Sequence, residues 1–177
     1  MKINNNTSIN SFHNELKLAK ELVYDKCGFD FTNAILHKES MEYGACSFEL
    51  NGKKIQYRVA KITPTKTGQF VTIWKRNKEE ITTPFDVSDP IDFIIISARK
   101  DDNFGQFIFP KSVLFNEGIL SGNNKKGKRG IRVYAPWDLT ENKQAIKTQQ
   151  WQIAYFLEIK DNNSIDFDLV EKLFEKQ

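Results

Sequence analysis

Cysteine and histidine are almost missing from this chain, with two of each in 177 residues. Cys27 and Cys46 form no Cys-x-x-Cys pair, and His13 stands far from His37, so the four closely spaced ligands of a structural zinc site are not at hand. No metal and no cofactor are expected, and both cysteines read as small buried hydrophobes. Long apolar runs are missing as well: none reaches the ~18 residues of a membrane span. The first ten residues are polar and Asn-rich, whereas a secretory signal is basic and then apolar. These absences predict a cytoplasmic protein that does not enter membranes. No Gly-x-Ser-x-Gly elbow or other nucleophile motif occurs either.

The most informative absence is local. Between Glu49 and Glu79 there is no acid, while Lys53, Lys54, Arg58, Lys61, Lys66, Lys75, Arg76 and Lys78 fall in that gap. A second acid-free stretch, Gly118 to Trp137, holds Lys125, Lys126, Lys128, Arg129 and Arg132. Acids gather near the C-terminus instead, at Glu158, Asp161, Asp166, Asp168, Glu171 and Glu175. A net charge of only +3 therefore hides a local positive field.

What is present is enough to fold. Forty per cent hydrophobic residues, with fourteen Phe and three Trp, supply one core, so residues 1–177 are expected as a single domain with 1–11 as a loose N-terminal segment. Phe12, Leu16, Ala19, Leu22 and Val23 recur at helical spacing and predict a helix from about Ile9 to Lys26, stopped by Gly28. Asn51-Gly52 predicts a two-residue type I′ hairpin turn. Its register sets Leu50 against Lys53 and Cys46 against Tyr57, with Ile55, Tyr57 and Val59 inward and Gln56 and Arg58 on an outward polar face. The same alternation would bury Lys61, unless a bulge or the strand's end near Ala60 intervenes.

Gln69 to Lys75, Phe93 to Ile96, Gly105 to Phe109 and Ile131 to Ala135 read as further strands, the second apolar enough to be buried on both faces. Pro110 starts a short helix that Gly118 closes. Thr140 is expected to cap a helix with Ala145, Thr148, Gln152, Tyr155 and Phe156 on one face, and Phe167 to Phe174 reads as a last amphipathic helix. The fold class is α+β: a mixed, mostly antiparallel sheet with N- and C-terminal helices packed on it.

Several segments together resemble the MepB family of bacterial proteins. They are Glu42-Tyr43-Gly44-Ala45, Tyr57-Arg58-Val59-Ala60-Lys61-Ile62-Thr63-Pro64-Thr65-Lys66, Gly105-Gln106-Phe107-Ile108-Phe109-Pro110-Lys111, Gly127-Lys128-Arg129-Gly130-Ile131-Arg132-Val133-Tyr134 and Lys147-Thr148-Gln149-Gln150-Trp151-Gln152. The resemblance implies little chemistry, because members of the family have generally lacked an assigned activity. The order of elements also resembles the core of restriction-endonuclease-like folds, an analogy of topology alone. That analogy implies Mg²⁺ held by an Asp and a Glu beside a Lys. No Glu-x-Lys is expected on a strand here. The nearest sets, Asp92 with Gln106 and Glu49 with Lys61, each lack the second carboxylate.

Gly122 to Lys128 satisfies the spacing Gly-x-x-x-x-Gly-Lys, but Arg129 stands where a nucleotide-binding loop needs Ser or Thr, and a strand follows instead of a helix. The segment reads either as a solvated mobile loop or as a flexible clamp for phosphates. Trp151 is expected to pack, whereas Trp137, next to the basic strand, is a candidate platform for an unpaired base. The function expected is therefore nucleic-acid binding (DNA or RNA) without catalysis. Its basic groove would be formed by residues 50–78 and 122–132, with Arg58, Lys61, Lys66, Lys75, Arg76, Lys111, Lys125, Lys128, Arg129, Arg132 and Trp137 as site residues. The alternative is a metal-dependent nuclease or related phosphotransfer enzyme of restriction-endonuclease-like fold, drawing on an unusual acid set from Glu39, Glu42, Glu49 and Asp92. An acidic protein is a third possible partner.

Overall fold

The computed structural model describes residues 9–162 and 164–175; residues 1–8 of the expected N-terminal segment lie outside the described residues. The strands, in chain order, are β1 (Phe31–Leu36), β2 (Cys46–Leu50), β3 (Lys53–Val59), β4 (Lys61–Thr63), β5 (Lys66–Thr72), β6 (Trp74–Arg76), β7 (Thr82–Pro84), β8 (Phe93–Lys100), β9 (Asn103–Pro110), β10 (Gly130–Val133) and β11 (Phe156–Glu158). The helices are α1 (Asn14–Ala19), α2 (Lys111–Asn116), α3 (Lys143–Gln152) and α4 (Phe167–Glu175).

The Asn51-Gly52 turn sets the architecture. Both residues hold positive φ, at 50° and 75°, as a type I′ turn requires. The pairing runs from Leu50 opposite Lys53 to Cys46 opposite Tyr57, as the turn predicts. From this hairpin the main sheet grows in the order β1-β2-β3-β8-β9-β11. Only β3 with β8 is parallel; the other neighbours are antiparallel. The sheet is thus mixed and mostly antiparallel, within an α+β fold.

One face of this sheet carries Phe48, Ile55, Tyr57, Phe93, Ile95 and Ile108 and is covered by helices from both ends of the chain. Helix α1 runs on into a wider π-helical turn at Lys20–Tyr24, and together they bury Leu16, Ala19, Leu22, Val23 and Tyr24. From α4, Val170 and Leu173 join the same cluster. Arg99 of β8 fastens α1 with two hydrogen bonds to the Glu15 carboxylate, at 2.6 and 2.8 Å. Each large apolar side chain buried here contributes about 1.5–3 kcal/mol.

The opposite face carries Ile94, Ile96, Phe107 and Phe109. It is covered by Val71, Ile131 and Val133 of a second, three-stranded sheet ordered β10-β5-β4. Strands β6 and β7 form a separate two-stranded ribbon.

Several elements differ from the sequence expectation. The strand expected at Gln69 to Lys75 is two strands, β5 and β6, neither in the main sheet, and Ile131 to Ala135 likewise pairs with β5 instead of joining the hairpin's sheet. Phe156 belongs to strand β11, which pairs with β9, and not to the preceding helix. Asn142, not Thr140, caps α3: its Oδ1 accepts the Ala145 N–H at 2.8 Å, while the Thr140 hydroxyl donates to Gln149. Strand β3 ends at Val59, and the Ala60 N–H donates to the Ser97 carbonyl as the chain turns toward β4. That ending removes the conflict at Lys61, which is half-exposed. Among the described residues, no helix is long and apolar enough to cross a membrane.

Candidate nucleic-acid groove and a separate arginine pocket

Strand β10 lies antiparallel against β5, with Arg132 opposite Phe70 and Gly130 opposite Thr72. This pairing joins the two acid-free stretches of the sequence. Beside it runs a groove of about 640 Å³ whose walls include Lys66 and Thr67 from β5, Lys128 and Arg132 from the second stretch, and Thr148 and Trp151 from α3. The Arg132 guanidinium is held in place by the Thr67 and Gly68 carbonyls, at 3.1 and 3.2 Å, and by the Thr63 hydroxyl at 2.6 Å. Lys66 and Lys128 are exposed. Glu117 and Glu141 also line the groove, so its three cations outnumber its acids by one.

The Gly-rich segment leading to this groove is pinned, contrary to both sequence readings of it. Asn123 and Asn124 hold φ of 48° and 63° in a tight turn closed by two main-chain bonds between Gly122 and Lys125. The Gly127 N–H donates to the Ser121 hydroxyl and the Lys128 N–H to the Ile119 carbonyl. A Cβ on Gly127 would stand 2.3 Å from the Ile119 carbonyl oxygen, so glycine is needed there for backbone packing, not for pliancy toward a ligand. Lys125, Lys128 and Arg129 point outward from this fixed frame and are exposed.

Arg58 is the main departure from expectation. It lies on the polar face of the hairpin, but that face is roofed, and Arg58 is only 3% exposed. Its Nη1 donates to the Tyr57 carbonyl at 2.8 Å, its guanidinium carbon sits 5.8 Å from the Phe85 ring centre, and its buried Nε has no partner among the described residues. Burial pulls its pKa down from 12.5 to about 10, which leaves it charged at neutral pH. A pocket of about 250 Å³ opens above it, between the hairpin and the β6–β7 ribbon, and is lined also by His37, Glu39, Gln56, Trp74, Lys75 and Arg76. Burial, and then the charge of Arg58, hold the His37 pKa below its ordinary value. Sequence reasoning put Arg58, Lys75 and Arg76 in the nucleic-acid groove, whereas the structure gathers them around this second cavity. The polar stripe Ser47, Gln56 and Arg58 was the signal for it, since such a stripe can line a pocket as readily as face solvent.

The remaining expected residues scatter. Lys61 pairs with Glu42 at 3.1 Å and lies 4.5 Å from the centre of the Tyr43 ring. Lys75 is ion-paired with Asp89, and Lys111 donates to the Asp89 carbonyl at 2.6 Å, beside a different cavity shared with Asp92 and Phe115. Trp137 packs edge-on against Phe156 with its indole nitrogen buried, so it is a wall of the core more than a platform for a base. Trp151 stacks obliquely on Phe109 and reaches the groove as well.

Glu39, Glu42 and Asp92 each have a different partner. Asp92 accepts the Lys54 N–H at 2.8 Å, Glu39 lies 3.7 Å from Arg76, and Gln106 is buried in a network with Tyr24 and Ser97. A Glu-x-Lys does occur at a strand end, Glu158-Ile159-Lys160 after β11, where the helical reading of Phe156 concealed it. Its two charged groups pair with each other at 3.6 Å and are half-exposed. Among the described residues no group of three or more His, Cys, Asp or Glu side chains could hold a metal ion.

The MepB-like family model matches residues 37–158. The chain belongs to the MepB-like family. The match spans every residue lining the groove and the Arg58 pocket, while α1 and α4 lie outside it. The crystal structure of MepB superposes with a TM-score of 0.72 at 32% sequence identity, covering 82% of this chain and 97% of that one. No curated protein matches the chain.

Proposed function

We propose that this MepB-like protein binds nucleic acid through the groove between the β5–β10 pair and α3. The observation that carries the reading is the β5–β10 pairing, which puts Lys66, Lys128 and Arg132 on one concave surface although they are far apart in sequence. Lysine and arginine gathered on one surface neutralise phosphates, and the hydroxyls of Thr67 and Thr148 in the same groove add neutral donors. Lys125 and Arg129, on the pinned segment, extend the cationic surface beyond the groove.

Binding without catalysis is the reading the carboxylates favour. A hard cation at a phosphate needs two or more converging oxygens, and among the described residues no group of three or more His, Cys, Asp or Glu side chains could hold one. The parallel β3–β8 pair after an antiparallel meander supports the kinship with restriction-endonuclease-like folds as an analogy, with the nuclease chemistry set aside. Unpaired Cys27 and Cys46 suit the reducing cytoplasm.

The test is an anisotropy titration of labelled duplex DNA, single-stranded DNA and RNA, run with and without Mg²⁺ or Mn²⁺. Salt-dependent binding of intact strands is the expected result. Metal-dependent cleavage would replace this reading with the nuclease one, and preference for a polyacidic peptide over every nucleic acid would point to an acidic protein partner.

A further inference from the structure

We propose that the cavity floored by Arg58 is a binding site for a terminal phosphate group, borne by a free mononucleotide or by the 5′ end of a strand. The first argument is the cost of the empty site. Among the described residues, a guanidinium buried to 3% exposure with Nε unpartnered and no carboxylate hydrogen-bonded to it keeps a desolvation penalty that the Tyr57 carbonyl and the Phe85 ring offset in part and an anion would offset further. Arginine suits that role because its fork meets two phosphate oxygens at once.

Charge sets the class of ligand. Lys75 and Arg76 line the β6 wall, and Glu39, the carboxylate among the lining residues, is drawn to Arg76 at 3.7 Å. Arg58, Lys75 and Arg76 outnumber Glu39 on the lining, and although Lys75 is also ion-paired with Asp89 the site stays net positive, as an anionic phosphate monoester requires. Size sets the rest. About 250 Å³ has room for a phosphoryl group with one ring attached, not for a folded polymer. Trp74, half-buried, with Arg76 5.5 Å from its ring centre, offers a face for that ring.

This site is distinct from the groove, and its test can fail while groove binding survives. Calorimetric titrations of the full chain with inorganic phosphate, adenosine 5′-monophosphate and adenosine form the first arm. Saturable binding of the monophosphate, and none of adenosine, is expected. Arg58→Gln should weaken it by at least about tenfold, as loss of a charge-assisted hydrogen bond does. Should Arg58→Gln not fold, Arg76→Ala, at an exposed position, should weaken binding several-fold, and the Arg58 Nε–H resonance of the parent should move on addition of the monophosphate.

A second arm compares one oligonucleotide with a 5′-phosphate and with a 5′-hydroxyl. Preference for the phosphorylated strand that depends on Arg58 assigns the strand end, and mononucleotide binding without that preference assigns a free ligand. The proposal is overturned if neither phosphate compound binds at millimolar concentration, if adenosine binds as well as its monophosphate, or if neither variant alters binding and the Arg58 resonance stays fixed.

Discussion

Arg132 lies opposite Phe70 in the β5–β10 pair and reaches back to the Thr67 and Gly68 carbonyls. A single side chain thus fastens the second basic stretch of the chain to the first residues of β5. That contact and the close packing of Gly127 against Ile119 tie the groove's walls to the backbone around them. Its exposed cations, Lys66 and Lys128, sit on backbone that does not depend on them.

The buried charge of Arg58 sets up an unusual substitution pattern. Arg58→Met, which removes the desolvated charge and keeps most of the volume, should leave the protein as stable as the parent or more so. Arg58→Ala leaves a void beside Phe85 and should cost about 1–3 kcal/mol. Urea denaturation at neutral pH measures both. Equal destabilisation by the two substitutions would mean that the bond to the Tyr57 carbonyl and the contact with Phe85 outweigh desolvation.

Stability should fall on mild acidification. Burial holds the pKa of both His37 and His13 below 6.5 in the folded chain. Below pH 6.5 the unfolded chain therefore binds more protons than the folded one, so stability is fully present above that pH and is lost as pH falls toward the folded values. Thermal unfolding at pH 7.5 and 5.5 should give the lower midpoint at 5.5. His37→Asn should shrink the difference, and an unchanged difference in that variant would assign it to other groups.

A buried polar chain crosses the helix-covered face of the main sheet. The Tyr24 hydroxyl donates to Gln106 Oε1 at 2.6 Å, Gln106 Nε2 donates to the Ser97 hydroxyl at 3.1 Å, and Tyr57 meets the same hydroxyl at 2.6 Å. Tyr24→Phe leaves the Gln106 oxygen buried and unpaired, at an expected cost of about 1–3 kcal/mol. Chemical denaturation of Tyr24→Phe, of Gln106→Leu and of the two combined checks this, the pair being expected to lose less than the sum of the two single changes.

Local signals carried much of this fold. Asn51-Gly52 alone determined five cross-strand pairs, and the apolar run at Phe93 marked the strand buried on both faces. Strand β1 was hidden because Asn33, at φ 54°, interrupts its pairing with β2 and with it the alternation of side chains. Three-residue β11 follows a helix without a break in composition. The groove was legible as two basic stretches, but that β5 and β10 pair is a long-range fact with no local trace. Arg58 was misplaced for the same reason, since its roof, Trp74 and Phe85, comes from residues well downstream of the hairpin.

The most direct measurement is the affinity of the parent and of the Lys66→Ala, Lys128→Ala double variant for labelled DNA and RNA across a range of salt. For the parent, log K should fall linearly with log salt, by roughly 0.9 per duplex phosphate neutralised. The double variant should bind more weakly across unrelated sequences, with a slope flatter by about one unit per lost contact, while each substitution shifts stability by no more than ~0.5 kcal/mol. Parent binding that ignores salt, or a double variant that binds as tightly as the parent at low salt, would contradict the account.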